Sequence, residues 1–374
     1  MAVKYKVIKE AILSKILEGT IIPHKKIGSE SELMKKYKVS RQTVRMAIGE
    51  LVSEGWLYRR QGAGTFCADR QIEDESVHPE VAEKNIAIIS TYISDYIFPS
   101  IIRGAESFLS EQGYQVSIFN TDNDFAYEKR SLETILARNY DGIIIEPTKS
   151  AISNPNLTYY LLLENTNIPY IMINAYYDEL DPLYLAIDDE KGGYIQTEHL
   201  IKLGHQHIIG VFKTDDEQGT RRLKGYLKAH RDYDIPINPM NIITYNTEEK
   251  EEKPFAELQS IIKSSEKHPT GLVCYNDQLA LRLLDILRGN GIQVPDDISI
   301  VGYDDSFLAE VSEVKLTTIK HPKSEMGEKA AQIILDMIRM KKENGNHTLE
   351  SYIYEPQIVI RNSTKKLALE TVKL

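Results

Sequence analysis

Arg41, Gln42, Thr43 and Arg45 stand within five positions of one another, and their side chains suit the reading of DNA bases. A guanidinium can donate to guanine O6 and N7, and a glutamine amide can bond adenine on two edges. Such groups work when they project from the start of a helix, away from its apolar face. The surrounding residues supply that helix. Ser40 can cap it through its hydroxyl, Val44, Ile48, Leu51 and Val52 form the inner face, and Gly55 ends it. Just upstream, Ser29-Glu30-Ser31-Glu32 is a Ser-x-x-Glu capping box that starts a helix reaching about Tyr37. Two short helices joined by a tight turn make a helix-turn-helix, whose second member fits the major groove. An earlier helix is expected from Val7, Ile8, Ala11, Ile12, Ile16 and Leu17, with Gly19 as its stop.

Past Gly55, the run from Trp56 to Cys67 reads as strand, glycine turn and strand. A hairpin in this place is a wing that can lie along a phosphate backbone or a minor groove. Gly62 and Gly64 allow close backbone approach, and Arg59 and Arg60 can neutralise phosphate.

A second kind of chemistry belongs to the larger part of the chain. From Asn85 on, short β-rich runs (86–89, 115–119, 142–146, 169–174) alternate with amphipathic stretches of helical length. After Asp181 the pattern restarts, with runs near 183–187, 208–212, 242–245, 271–275 and 299–303. Such alternation means βαβ units and parallel sheets, here as two lobes with a cleft between them. Ligands of open α/β sheets bind beyond the carboxyl ends of the strands. Tyr96 and Phe98, Glu146 and Lys149, and Asn174 lie there in the first lobe; Asn276, Asp277, Asp304 and Asp305 lie there in the second. Polyols need fixed donors and acceptors for their hydroxyls and aromatic faces for their C–H groups, and these residue types provide both. Strand-end Asp and Asn also serve as helix caps, and Asn276-Asp277-Gln278 suits that role equally well.

Charge divides the chain in the same way. The net charge is −10 over 374 residues, yet residues 1–68 hold 13 Lys and Arg against 6 Asp and Glu. A basic head on an acidic body is expected to meet a polyanion. Residues 69–84 are acidic, poor in apolar side chains and broken by Pro79, as expected of a flexible linker that DNA would repel. The sequence therefore predicts a head at 1–68, a linker at 69–84 and a sensing domain at 85–374. Cys67 and Cys274 are the only cysteines, which fits a reducing compartment. No apolar run reaches the roughly 20 residues that span a bilayer. The first residues alternate charged and apolar types, unlike a signal peptide. A cytoplasmic, nucleoid-associated protein with no membrane partner is the expectation.

The motifs themselves resemble known families. Ser40-Arg41-x-Thr43-Val44-Arg45, Leu51 to Gly55 and Gly62-x-Gly64-Thr65-Phe66 resemble the GntR-type winged helix over nearly all of residues 1–68. By position, that resemblance implies DNA contacts from Lys4, Arg41, Thr43, Arg45, Gln61 and Gly62. Arg60 and Lys36 are as readily solvated surface charges. From about Asn85 to Ser363 the chain resembles the LacI/GalR regulators. The similarity is carried by the segments 197–205, 274–277, 299–305, 316–322 and 355–361. It implies that Arg222, three before Gly225, clamps a sugar, with Asn276 and Asp304 as polar contacts. Asn174 stands where that family commonly has Asp.

A GntR-type head in place of the LacI/GalR head also implies that no hinge helix bends DNA here. TYISDYIFPSIIRG, EPTKSA, KGGYIQTEHL and VGYDDS together resemble a family of sugar-operon repressors of bacilli, which implies L-arabinose as the effector.

The expected architecture is an α+β winged helix-turn-helix head followed by an α/β two-lobed periplasmic-binding-protein-like domain. The expected function is a homodimeric, sugar-released repressor on double-stranded operator DNA, without a cofactor. A periplasmic sugar-binding protein would share the lobes but would not carry a winged helix. An enzyme is disfavoured, since neither Gly-x-x-x-x-Gly-Lys nor His-Glu-x-x-His occurs. His199, His205 and His207 could suggest a metal, but Gly204-His205 fits a helix-to-strand turn, so no metal site is expected. Asp215-Asp216 and Asp304-Asp305 read as ligand-binding or capping pairs.

Overall fold

The structure, a computed structural model, describes residues 2–17, 19–60, 63–68, 84–94, 96–264, 269–343 and 348–367. Its chain contacts divide it into an N-terminal unit and a unit beginning at Lys84. Most of the expected linker lies outside the described residues.

The N-terminal unit holds helices α1 (Ala2–Leu17), α2 (Glu30–Tyr37) and α3 (Arg41–Ser53) and strands β1 (Leu57–Arg60) and β2 (Gly64–Cys67). The capping box forms as read: the Ser29 side chain accepts from Glu32 N–H, and the Glu32 carboxylate accepts from Ser29 N–H. Lys38 ends α2 in the left-handed conformation (φ 51°), so only Val39 and Ser40 separate it from α3. Ile8, Ile12, Val44, Ile48, Leu51 and Trp56 close one small core. β1 and β2 pair antiparallel. The segment 24–27 adds to the wing through His24 N–H to Cys67 O and Ile27 N–H to Thr65 O. Gly64 takes φ 125°, a conformation that residues with side chains rarely adopt, so glycine suits this end of the wing turn.

The second unit has two six-stranded sheets. In chain order the first lobe is β3 (Asn85–Ser90), α4 (Phe98–Glu111), β4 (Gln115–Asn120), α5 (Phe125–Ala137), β5 (Gly142–Ile145), α6 (Leu157–Asn165), β6 (Tyr170–Ile173) and β7 (Tyr184–Ile187). The chain then crosses into α7 (Asp189–Lys202), β8 (Ile208–Lys213), α8 (Glu217–Asp232), β9 (Ile242–Tyr245) and α9 (Lys253–Ser264). β10 (Gly271–Cys274), α10 (Asp277–Gly289), β11 (Ser299–Asp304), α11 (Phe307–Val311) and β12 (Thr317–Lys320) complete that lobe. It crosses back for α12 (Lys323–Glu343) and β13 (Tyr352–Tyr354), and once more for β14 (Ile358–Val359).

The sheet orders are β4-β3-β5-β6-β7-β13 and β9-β8-β10-β11-β12-β14. All pairs are parallel except β12 with β14. Central strands are buried on every residue, as sheets covered on both faces require.

Two expectations change here. The strand near 183–187, expected to open the second lobe, is β7 and pairs with β6 in the first sheet. Periodicity identifies a strand but not the sheet it joins. In addition, β12, β13 and β14 complete the sheets and add crossings between lobes near 321 and 356 to the one near 188.

Candidate functional site

On the head, α3 presents its first turn to solvent. Arg41, Gln42 and Arg45 are exposed, while Val44, Ala47, Ile48 and Leu51 point inward. Glu30 on α2 holds both arginines, at 3.3 Å from Arg41 Nε and 2.8 Å from Arg45 Nε. The Thr43 hydroxyl lies 2.8 Å from Ser40 Oγ, so it helps close the helix start. Tyr58 and Phe66 stack across the wing strands. The side chain of Lys4 and both Gln61 and Gly62 lie outside the described residues.

The cleft of the second unit encloses a cavity of about 400 Å³ lined from both lobes. Arg222 is its best-anchored side chain. Gly193 on α7 and Gly225 on α8 let the two helix backbones touch: a Cβ on Gly193 would lie 2.2 Å from Arg222 O, and one on Gly225 2.0 Å from Glu190 O. This approach sets the Arg222 guanidinium against Asp189 at the start of α7, with Nε donating to Oδ1 at 2.8 Å. Nη1 donates to Tyr275 O (2.7 Å), and the guanidinium carbon lies 3.5 Å from the Tyr303 ring centre. Burial opposes its charge, but the carboxylates of Asp189 and Asp304 hold its pKa well above the usual value. Arg222 does not pair with Asp215 or Asp216, which flank Lys213 instead.

Across the cleft, Glu146 at the end of β5 is buried and fully engaged. It accepts from Thr91 N–H (2.9 Å) and Thr91 Oγ1 (2.6 Å), and from Asn174 Nδ2 (2.8 Å). Burial raises its pKa, and these donors counter the rise. Asn174 Oδ1 faces His321 Nε2 at 2.9 Å. Burial pushes the His321 pKa well down, which favours the neutral ring, and the tautomer protonated on Nε2 would donate to Asn174 Oδ1. An aspartate at 174 would set a second carboxylate beside Glu146, whereas the amide links a carboxylate to a histidine without charge.

Tyr96 joins the lobes. Its hydroxyl donates to Asp304 Oδ2 (2.7 Å) and accepts from Asp277 N–H (3.0 Å). Tyr96, Asn174 and Asp304 all take positive φ (64°, 67° and 93°), a cost of about 1–3 kcal/mol each that clusters at binding sites. Asn276 lines the cavity and also caps α10, accepting from Leu279 N–H at 2.9 Å. Phe98 lines the cavity as well.

Three of the residues expected at the ligand, Asp277, Lys149 and Asp305, are not among those lining the cavity; Asp305 pairs with Arg361 at 2.6 Å. Asp277 turns inward, accepting from Thr318 Oγ1 (2.7 Å) and Ser306 N–H (2.8 Å), and so ties α10 to the ends of β11 and β12. Burial pushes its pKa up to about 7. Lys149 pairs with Glu248 on the other lobe. Conversely, the cavity is lined by Asp189, Lys213, Tyr275 and His321, which the sequence reading passed over, and by Asp216, which it read as ligand-binding or capping. His321 immediately follows β12, a strand absent from the sequence reading, and Asp189 lies two residues past β7, a strand that reading assigned to the other lobe. His199 and His205 engage the C-terminal segment, with Thr364 and Lys365 O.

The chain resembles characterised regulators throughout. Residues 4–67 match the gntR family of bacterial regulatory proteins, and residues 197–364 match a periplasmic binding protein-like domain. An arabinose metabolism transcriptional repressor of Halalkalibacterium halodurans is 58% identical over 371 residues, 99% of each chain. One of Geobacillus stearothermophilus is 47% identical over 97% of this chain and 98% of its own. A LacI family transcriptional regulator from Enterococcus faecium, solved with bound ribose, superposes with a TM-score of 0.63 at 28% identity. It covers 76% of this chain and all of that one.

Proposed function

We propose that this chain, which belongs to the family of arabinose metabolism transcriptional repressors, blocks genes of arabinose use and leaves its operator when L-arabinose fills the cleft. It is a DNA-binding regulator and not an enzyme. One observation carries the sugar reading: the cavity is lined by carboxylates, amides, a rigid arginine and aromatic rings drawn from both lobes. A pentose presents hydroxyls and C–H faces that such a lining matches. Arg222, Asn276, Asp304, Glu146 and Asn174 are the proposed polar contacts, with Tyr96 and Phe98 at the first lobe's edge.

Release follows from the two-lobed geometry. Sugar bound between lobes favours the closed arrangement, and it shifts the DNA equilibrium only as far as it prefers that arrangement over the open one. No cofactor is required. A homodimer would place two recognition helices on two half-sites. The exposed Phe307, Leu308 and Val311 of α11 supply an apolar face suited to self-association. Among the described residues no helix is long and apolar enough to cross a membrane. A repressor acting on its operator would work beside the nucleoid in the cytoplasm.

Calorimetry against a panel of pentoses and hexoses, paired with gel shifts of operator DNA at fixed salt, tests this reading. L-Arabinose should bind with one site per chain and release the DNA. Release by a hexose alone, or no sugar binding at all, would overturn it.

A further inference from the structure

The loop between β9 and α9, residues 246–252, reaches from the second lobe to three separate points on the first. Thr247 Oγ1 accepts from Asn123 Nδ2 at 2.7 Å. Glu248 pairs with Lys149. Lys250 Nζ lies 5.0 Å from the ring centre of Tyr92. The loop is also fixed to its own lobe, through Thr247 N–H to Asp215 Oδ2 (2.9 Å) and Arg282 Nη2 to Glu251 (2.9 Å). Within it, Glu249 N–H donates to Asn246 Oδ1 and Asn246 N–H donates to Glu249 Oε2, so its shape is set before any ligand arrives.

Lys250 and Glu251 line the cavity as well, so the loop forms part of its wall. The points that it grips are equally specific. Asn123 is buried, lines the cavity, and accepts from Lys149 N–H through its other amide atom at 2.8 Å. Next to Lys149, Ser150 Oγ accepts from Glu217 N–H of the second lobe at 2.9 Å. At about 400 Å³ the cavity is near the lower end of small-molecule sites.

We propose that loop 246–252 is a size-selecting strap: gripping Asn123, Lys149 and Tyr92, it closes the cleft around one sugar ring and shuts out a second. The strap rests on the reading of the cleft as a sugar site, and Lys149 acts in it as a positioning residue, not as a sugar contact.

The test compares the full-length wild type, Lys149→Glu and the charge swap Lys149→Glu/Glu248→Lys. Hydrogen exchange without sugar reads the strap directly. Lys149→Glu should accelerate exchange in 246–252 and in 121–124 together, and the swap should restore both. Exchange that is the same in all three proteins would overturn the strap. Calorimetry on the same proteins uses L-arabinose and the disaccharide α-1,5-L-arabinobiose. The wild type should bind the single sugar and not the disaccharide. Lys149→Glu should weaken arabinose binding by about fivefold, the scale of a partly exposed ion pair, and the swap should recover it. Equal binding of both sugars by the wild type would overturn size selection. If the wild type binds neither sugar, the sugar reading itself fails, and the size selection proposed here fails with it.

Discussion

Arg222 Nε stands 2.8 Å from Asp189 Oδ1, and both side chains are about one-twentieth exposed. Two helices of the second lobe, α7 and α8, meet in this pair just past the first crossing, so it belongs to the cavity wall and lies beside the joint between lobes. Arg222→Ala should abolish the response to pentose while operator binding persists. The loss of charge-assisted bonds to the sugar is about 1.5–3 kcal/mol, or roughly 10- to 150-fold in affinity. Stranding Asp189 costs stability as well, on the order of 3–5 kcal/mol for a buried pair broken on one side. Arg222→Lys should keep more of that stability but not the planar fork. Calorimetry showing an unchanged dissociation constant in either variant would move the ligand away from α8.

Arg45 tests the other end of the chain. It is exposed on the first turn of α3 and leans on Glu30, an acidic partner that a guanine must displace. Arg45→Ala should weaken operator binding by about 1–3 kcal/mol without changing sugar affinity. Wild-type affinity in a gel-shift titration would remove Arg45 from the DNA-reading surface.

The head has its own core around Val44, Ile48, Leu51 and Trp56, so residues 1–68 should fold when expressed alone. That fragment should bind operator more weakly than the full chain and ignore sugar. Tethering two heads raises their effective concentration on paired half-sites, and the fragment lacks that gain. Equal affinities at equal salt would show that dimerisation adds nothing to DNA binding.

Asp277 gives a pH prediction. Its folded pKa is about 7, against about 3.9 for an unfolded aspartate. Between these values the folded state holds more protons, so the contribution of Asp277 to stability falls as pH rises from about 4 to 7. His321, with its depressed pKa, acts in the opposite sense up to about its ordinary value of 6.5, and it is the same in wild type and variant. Subtracting the melting curve of Asp277→Asn from that of the wild type therefore isolates Asp277. The variant should gain on the wild type as pH goes from 5 to 8. A constant difference across that range would mean that Asp277 is ionised throughout.

Local signals were enough for the head. The capping box at Ser29–Glu32, the cap at Ser40 and the apolar spacing of Val44, Ile48 and Leu51 each act within a few residues, and the helices form where those signals place them. Strands β3 to β11 were legible for the same reason, while β12 to β14 were not, and the strand-end positions of Tyr96, Glu146, Asn174 and Asp304 were legible with them. Tertiary structure decided which strands share a sheet. β7 carries the pattern of any buried strand, and only its pairing with β6 and β13 assigns it to the first lobe. Pairing across many residues leaves no local trace.

The same limit governs the side chains. Asp277 and Asn276 are neighbours in sequence, but one turns inward to Thr318 while the other faces the cavity. Lys149 finds Glu248 only because two lobes come together. Asp189 meets Arg222 because Gly193 and Gly225 allow two backbones to touch, a contact between residues 33 positions apart that helix periodicity does not encode.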